Sequence, residues 1–272
     1  MPFLLEWNMF QEVEMLQKRI MNTKPLKLFL LCAGLMLIYS FGGALLYGIG
    51  GMKAYVIGRF LFGLLCLFLF LKVRKGNRLV NEKRPWYEKP TLCAVFLIIF
   101  IGLYMLDIFD VIGNISALLR QSRTSIITNT LLALTAGIFE ETLFRGFGAD
   151  TFAAWYKGAK HPLCWSALWT SLIFGLCHLG NMDGTNNMQV LIQVFYAVML
   201  GLALFACRLL SNGMGLPAVL HFLIDLQPDL MSRDVAAGPF YYYVLVFLPI
   251  ALLAFWTVFQ LEKKMKGKEY GI

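Results

Sequence analysis

Eight long apolar segments follow one another along this 272-residue chain, separated only by short polar stretches. They lie near residues 27–48, 54–72, 91–112, 126–150, 162–179, 188–209, 215–230 and 240–261. A helix needs about 20 apolar residues to cross the hydrocarbon of a membrane. Charged residues make up 15% of the chain, whereas a soluble domain carries about 25%. The sequence therefore predicts an all-α, polytopic transmembrane helical bundle of about eight spans.

Basic residues collect in the segments between the apolar runs. Most of the 24 lysines and arginines lie in the N-terminal segment, the 72–89 loop, the polar end of the fourth run and the C-terminal tail, which eight spans would place on one side. The positive-inside rule then predicts an integral membrane protein with both termini cytoplasmic. We expect the membrane to be a bacterial plasma membrane. The charge pattern favours membrane lipids as partners, and no nucleic acid is expected, because no basic face is interleaved with aromatic residues.

The chain divides into four regions on this pattern. They are an N-terminal cytoplasmic or interfacial segment at 1–26, the first transmembrane helices with a basic cytoplasmic loop at 27–124, a polar-containing helical core at 125–230, and the last transmembrane helix with a basic cytoplasmic tail at 231–272. The six cysteines lie in or beside apolar runs and form no C-x-x-C pair. A disulfide framework or a thiolate zinc site is therefore not expected.

Two adjacent glutamates interrupt the fourth apolar run. A charged side chain at the centre of a bilayer costs about 2.5–3.5 kcal/mol even on the most lenient scale. Glu141 and Arg145 are four residues apart, so they share a helix face with the carboxylate in the favourable N-terminal position. Glu140 lies about 100° around an ideal helix from Glu141. It must therefore be hydrated, protonated or partnered by another helix.

Two further runs supply candidate partners. His178 ends the fifth run, and His221 lies in the seventh with Asp225 one turn later on the same face. A carboxylate one turn from an imidazole can fix the tautomer of that imidazole. Glu140 and His178 are equally distant from a turn near 158–160, which places them at similar depth. His221 fits less well, because it lies only a few residues after the polar turn at 211–215.

These residues form three ordered motifs: Glu140-Glu141-x-x-x-Arg145, Phe174-x-x-x-His178 and His221-x-x-x-Asp225. The motifs resemble those of the CAAX protease and bacteriocin-processing family of intramembrane proteases. The resemblance covers about residues 125–230, and it includes the surrounding FRGFG, FGLCHLG and LPAVLH sequences. It implies that the 125–230 region is the catalytic core of an eight-helix endopeptidase.

The resemblance also assigns a role to each motif. Glu140 would activate a water molecule with help from His178. His221 and the residue four positions later would stabilise the oxyanion, and Glu141 with Arg145 would hold the site together. The family often has asparagine where this chain has Asp225. Because an ionised carboxylate cannot donate a hydrogen bond, Asp225 would orient His221, be protonated or help to bind a metal.

Two questions stay open at this point. The first is a metalloprotease alternative, in which His178, His221 and Glu140 hold zinc and the bound water is the nucleophile; we favour a site without tightly bound zinc. The second is the identity of the substrate. We expect a membrane-associated peptide or a lipidated protein, as in CAAX-type, bacteriocin or pheromone processing. We expect this substrate to reach the site from the cytoplasmic leaflet. A non-proteolytic membrane immunity or peptide-binding protein on the same fold is the alternative function.

Overall fold

A computed structural model describes residues 2–74, 91–185, 187–228 and 238–265, with side chains from residue 25 onward. All regular structure within these ranges is helical, which confirms the predicted all-α bundle. The predicted interfacial side chains before residue 25, most of the basic loop and most of the basic tail lie outside the described residues.

The first helical segment, Pro2–Arg74, folds back on itself at Gly51. Gly51 has a φ of 65°, a conformation that glycine adopts without the steric cost that a Cβ imposes. Close contacts across the break show the reversal, since a Cβ on Gly58 would lie 2.2 Å from Leu46 and the rings of Tyr39 and Phe62 are stacked. The segment is therefore an antiparallel pair of helices, α1 (2–50) and α2 (52–74), as the first two apolar runs predict.

Seven further helices follow. Six of them coincide with the six remaining apolar runs, and α4, which follows the end of the third run, was not predicted. They are α3 (Leu92–Leu103, continued by a π-helical turn at Tyr104–Ile108), α4 (Val111–Leu119), α5 (123–155), α6 (Pro162–Cys177), α7 (Asn187–Ser211), α8 (Gly215–Asp225) and α9 (Phe240–Lys264).

Four helical stretches in the described ranges are long and apolar enough to cross a membrane, or five if α3 and α4, bent by 41°, form one broken span. The first of these stretches is the folded α1–α2 pair, which supplies two antiparallel helices. By contrast, α8 has 11 residues, and at 1.5 Å per residue it extends about 17 Å. The seventh apolar run therefore does not cross about 30 Å of hydrocarbon as a single helix, and it packs inside the bundle instead.

Helix α5 changes its winding in the middle. α-Helical turns at Arg123–Thr135 and Ala149–Trp155 flank two π-helical stretches, Ala136–Glu140 and Thr142–Gly148. π-Helical turns are rare and occur frequently at functional sites. The two glutamates of the first motif lie at the junction between these stretches.

The bundle has a basic end and an opposite end. At the basic end, Arg74 pairs with Asp150, and Glu262 of α9 accepts hydrogen bonds from the backbone N–H groups of Leu163 and Cys164 at the start of α6. The opposite end carries the Gly51 break, the start of α5, the end of α6 and the start of α9. The two ends of the bundle therefore differ in charge.

Candidate active site

A cavity of about 680 Å³ lies between α1, α2, α5, α6, α7, α8 and α9. Its lining combines apolar and polar side chains. The polar ones include Tyr39, Tyr55, Arg59, Glu140, His178, Asn181, Gln193, His221, Asp225 and Gln227. Apolar walls with convergent polar groups are the usual form of a small-molecule or peptide site. The structure thus gathers Glu140, His178, His221 and Asp225 from three separate motifs around one space.

Glu141 is fully buried and contacts the cavity-lining residue His221 without lining the cavity itself. Its Oε1 atom accepts a hydrogen bond from Nη1 of Arg145 at 2.9 Å, which confirms the predicted ion pair. The same oxygen lies 2.8 Å from Nδ1 of His221. Glu141 therefore joins α5 to α8 through one oxygen, and burial of all three side chains strengthens both contacts, because little solvent screens the charges.

The second nitrogen of His221 faces two other carboxylates. Its Nε2 atom lies 3.8 Å from Oε2 of Glu140 and 3.6 Å from Oδ2 of Asp225. The Glu140 and Asp225 side chains are partly exposed, at 23% and 25%, whereas that of His221 is 6% exposed. Glu140 and Glu141 thus contact opposite nitrogens of one imidazole, and Nε2 is the nitrogen that points into the cavity.

His178 lies at the end of α6, where its own backbone fixes its ring. Nδ1 lies 3.0 Å from the carbonyl oxygen of Phe174, so the Nδ1 proton donates to that oxygen and Nε2 is left as an acceptor. The ring of Phe174 contacts the His178 ring at 5.1 Å and the His221 ring at 5.7 Å, both edge to face. Its face contacts the guanidinium of Arg145, at 4.3 Å. The four-residue spacing of the second motif therefore lets one phenylalanine contact both histidines.

The position of the α7–α8 turn explains the depth of His221. Arg208, three residues before the end of α7, is fully buried, and its Nε donates to the backbone carbonyl of Arg145. Arg145 lies one turn beyond Glu141, and Ser211 lies about one turn beyond Arg208, so the turn after Ser211 is about two helical turns from the level of Glu141. The first six residues of α8 then return the chain to that level at His221. The apparent depth mismatch of His221 came from placing this turn at the membrane surface.

The three residues considered for zinc are not gathered into one ligand set. Within the described ranges, the group of three whose ligand atoms all lie within 4.8 Å of one another is His161, Cys164 and Glu262. That group lies at the basic end, and the Glu262 carboxylate there caps the start of α6. His178, His221 and Glu140 have suitable chemistry for zinc, but their ligand atoms do not all lie within 4.8 Å of one another.

Sequence reasoning missed several contributors to the cavity, and two of them contact each other. Arg59 of α2 and Tyr39 of α1 both line it, with the guanidinium carbon of Arg59 3.8 Å from the Tyr39 ring centroid. The sequence carries a signal for Arg59, which is a charge inside an apolar run.

Comparison with known proteins agrees with this site. Residues 122–227 match the family described as type II CAAX prenyl endopeptidase Rce1-like. The resemblance to the CAAX protease family is confirmed over these residues. This Rce1-like region contains all three motifs and, at the level of the family, supports a CAAX-type intramembrane endopeptidase.

An Escherichia coli protein described as "Uncharacterized 24.3 kDa protein" is 28% identical over 175 residues, which covers 59% of this chain and 72% of that protein. No solved structure matches the chain.

Proposed function

We propose that this protein is an intramembrane endopeptidase in which Glu140 activates water for attack on a peptide bond. One observation carries the proposal: Glu140 and the Nε2 atom of His221 lie 3.8 Å apart at the wall of the cavity, while Glu141 holds Nδ1 of the same ring. A base and a hydrogen-bond donor on one side of a sheltered cavity are the two groups that peptide hydrolysis needs.

The proposed reaction begins with water between Glu140 and His178. Glu140 takes a proton from this water, Nε2 of His178 accepts its other hydrogen bond, and the oxygen attacks the scissile carbonyl carbon. The carbonyl π electrons move to oxygen, and the Nε2–H of protonated His221 stabilises the resulting oxyanion. Glu140 then passes its proton to the leaving nitrogen as the C–N bond breaks, which releases an amine and a carboxylic acid and restores the base.

Two carboxylates support His221 in this scheme. Glu141 accepts a hydrogen bond from the Nδ1–H of His221 and so fixes the ring, and Arg145 in turn holds the Glu141 carboxylate in place. Asp225, 3.6 Å from Nε2, favours the protonated imidazole by its negative charge. An aspartate at this position therefore acts through His221 rather than by donating to the oxyanion, which an ionised carboxylate cannot do.

The side of the membrane follows from the two ends of the bundle. The cavity is lined by Asn181, Gln227 and Tyr242, which lie beside the ends of α6, α8 and α9 opposite the basic end. With the basic end and both termini in the cytoplasm, the cavity opens toward the other leaflet. The two expectations, cytoplasmic termini and a site reached from the cytoplasmic leaflet, are therefore incompatible. We propose that the termini are cytoplasmic and that the site is reached from the opposite leaflet. The proposed substrate is a membrane-associated peptide or lipidated chain that enters from that leaflet.

The test is cleavage of defined peptides by the full chain in proteoliposomes. The probe is a fluorogenic peptide with an S-farnesyl cysteine near a free C-terminus, beside the same peptide without the lipid. We expect Glu140→Gln to lower kcat by about 100- to 10,000-fold, the usual contribution of a general base. His178→Ala should have a smaller effect, because it removes a water-positioning group. Lys157→Gln, in the exposed turn at the basic end, is the matched surface control.

Two results would count against the proposal. Full activity of purified Glu140→Gln would exclude Glu140 as the base. Tight peptide binding without any cleavage by the wild-type protein would support the peptide-binding or immunity alternative. Metal content and the effect of a chelator, measured on the same preparation, decide between the metal-free route and a zinc-dependent one.

A further inference from the structure

Arg59 is a cation inside the bundle and lines the same cavity as Glu140. It lies on α2, in an apolar run eight residues beyond the Gly51 break. An arginine at membrane depth is costly, and such residues face a bundle interior or a water-filled cavity where they serve a function. The energetic cost makes this side chain a candidate for a role that membrane topology does not explain.

The side chain of Arg59 is held in place from three directions. Its guanidinium carbon lies 3.8 Å from the ring centroid of Tyr39 and 4.9 Å from that of Tyr55. Nη1 also donates a hydrogen bond to the Tyr55 hydroxyl. A Cβ on Gly43 would lie 3.3 Å from Cδ of Arg59, so this glycine leaves room for the arginine stem. The aromatic and glycine contacts hold the guanidinium in one position before any ligand arrives.

Arg59 forms no ion pair with a carboxylate among the described residues. Within the described ranges, no carboxylate oxygen lies within 4.0 Å of its guanidinium nitrogens, whereas Arg145 pairs with Glu141 and Arg74 with Asp150. Its Nε atom is buried and has no hydrogen-bond partner among the described residues. A guanidinium has a planar fork of N–H donors that matches a carboxylate. Arg59 therefore has both the charge and the geometry to receive one.

The distance from Arg59 to the proposed base is short. The Tyr39 ring that contacts Arg59 stacks at 3.8 Å on Phe139, the residue before Glu140. Gly63, one helical turn after Arg59, lies against Phe139, since a Cβ there would be 3.4 Å from the Phe139 Cβ. Arg59 is thus displaced from Glu140 by about one turn toward the Gly51 end, and a few residues of extended peptide can join the two positions.

We propose that Arg59 is the residue that binds the C-terminal carboxylate of the substrate. The inference rests on the proposed endopeptidase function and names a specificity-determining residue for it. Arg59 does not touch the reacting atoms in this scheme, so its contribution belongs to substrate binding. A carboxylate on the side chain of the last residue could also pair with the guanidinium. The experiment distinguishes this side-chain carboxylate from the C-terminal one.

The experiment compares three peptides of one sequence in proteoliposomes. One ends in a free carboxylate, one in a carboxamide, and one in a carboxamide with glutamate as its last residue. For the free carboxylate, Arg59→Gln should raise KM about 10- to 100-fold, the loss expected for a charge-assisted hydrogen bond. For the plain carboxamide, wild type and Arg59→Gln should have the same high KM. For each peptide, kcat should differ by less than about threefold between wild type and Arg59→Gln. Arg59→Lys should recover part of the affinity.

Lys53→Gln is the matched control, because it removes the same charge from an exposed site on the α1–α2 pair. It should leave both constants unchanged. An equal fall in kcat for all three peptides with Arg59→Gln would overturn the proposal, since Arg59 would then act on Glu140 or on the fold. Wild-type affinity for the glutamate-ended carboxamide would overturn selectivity for the terminal carboxylate.

Binding separates this inference from the proposed function. A fluorescent version of each peptide is titrated against Glu140→Gln and against Glu140→Gln combined with Arg59→Gln. Carboxylate-dependent binding that needs Arg59 supports the inference even if wild type cleaves none of the peptides, and in that case the proposed endopeptidase function is wrong. Equal binding of carboxylate and carboxamide peptides by both variants overturns the inference whatever the outcome of the cleavage assay.

Discussion

Oε1 of Glu141 lies 2.8 Å from Nδ1 of His221, across 80 residues of sequence, and the same oxygen accepts a hydrogen bond from Arg145. All three side chains are buried. A buried charge that loses its partner is strongly destabilising, because the remaining charge stays desolvated without compensation. The Glu141 carboxylate therefore contributes both to the stability of the bundle and to the position of the His221 ring.

Replacement of Glu141 should expose both contributions. We expect Glu141→Leu to lower the free energy of unfolding by about 3–5 kcal/mol, because the Arg145 guanidinium is left unpaired. Glu141→Leu combined with Arg145→Met should lose less stability than the single variant, since no uncompensated charge remains. Unfolding in detergent measures the effect. Both variants should be inactive, and a double variant with wild-type activity would show that Glu141 does not position His221.

Asp225 can be tested by a substitution of the same shape. Asparagine keeps a hydrogen-bonding side chain beside Nε2 of His221 and adds N–H donors that can meet the oxyanion. We expect Asp225→Asn to retain kcat within about tenfold, whereas Asp225→Leu should lose about 100-fold, the scale for loss of one stabilising group. Inactivity of Asp225→Asn with normal folding would instead indicate that the carboxylate itself is required, as a base or a metal ligand.

Much of the fold could be predicted because lipid imposes a simple pattern. Each spanning helix needs an apolar run, so the helix positions follow from hydropathy, and charges inside those runs mark the site. The contact between Glu141 and His221 could not be predicted, because it depends on the depth of the turn after α7. That depth is set by tertiary contacts such as the one from Arg208 to the Arg145 carbonyl.

The role of Arg59 shows a second limit. A charge near the end of an apolar run can face the membrane surface or the bundle, and periodicity alone does not distinguish the two. The face of α2 that meets α5 is decided by the packing of Gly63 against Phe139. Once that contact is known, Arg59 lies on the cavity side. Tertiary packing, rather than local sequence, therefore identifies Arg59 as part of the site.

Membrane orientation gives a prediction that does not require a substrate. Single cysteines are introduced at Asn181, at the cavity end, and at Lys157, at the basic end, in a background without the six native cysteines. Both positions are exposed. We expect a membrane-impermeant maleimide to label Asn181→Cys in intact cells and Lys157→Cys only after permeabilisation, because basic loops stay in the cytoplasm. The opposite pattern would place the cavity on the cytoplasmic side.

The close approach of α5 and α8 depends on Gly137. A Cβ at this position would lie 2.5 Å from the carbonyl oxygen of Ala218 and 3.0 Å from the backbone nitrogen of Phe222, which flank His221. Gly137→Ala should push α8 away from α5 and lengthen the contact between His221 and Glu141. We expect a loss of about 1–3 kcal/mol in the free energy of unfolding, the usual cost of overpacking, together with a larger fall in kcat than stability alone explains.

Gly34→Ala on α1 is the matched control for this substitution. A Cβ at Gly34 meets no atom within 4 Å, and alanine is favoured over glycine in a helix by up to about 1 kcal/mol. Gly34→Ala should therefore keep kcat and hold or raise Tm. If Gly137→Ala behaves in the same way, α8 is free to shift without loss of activity, and the precise placement of His221 by α5 is not required for catalysis.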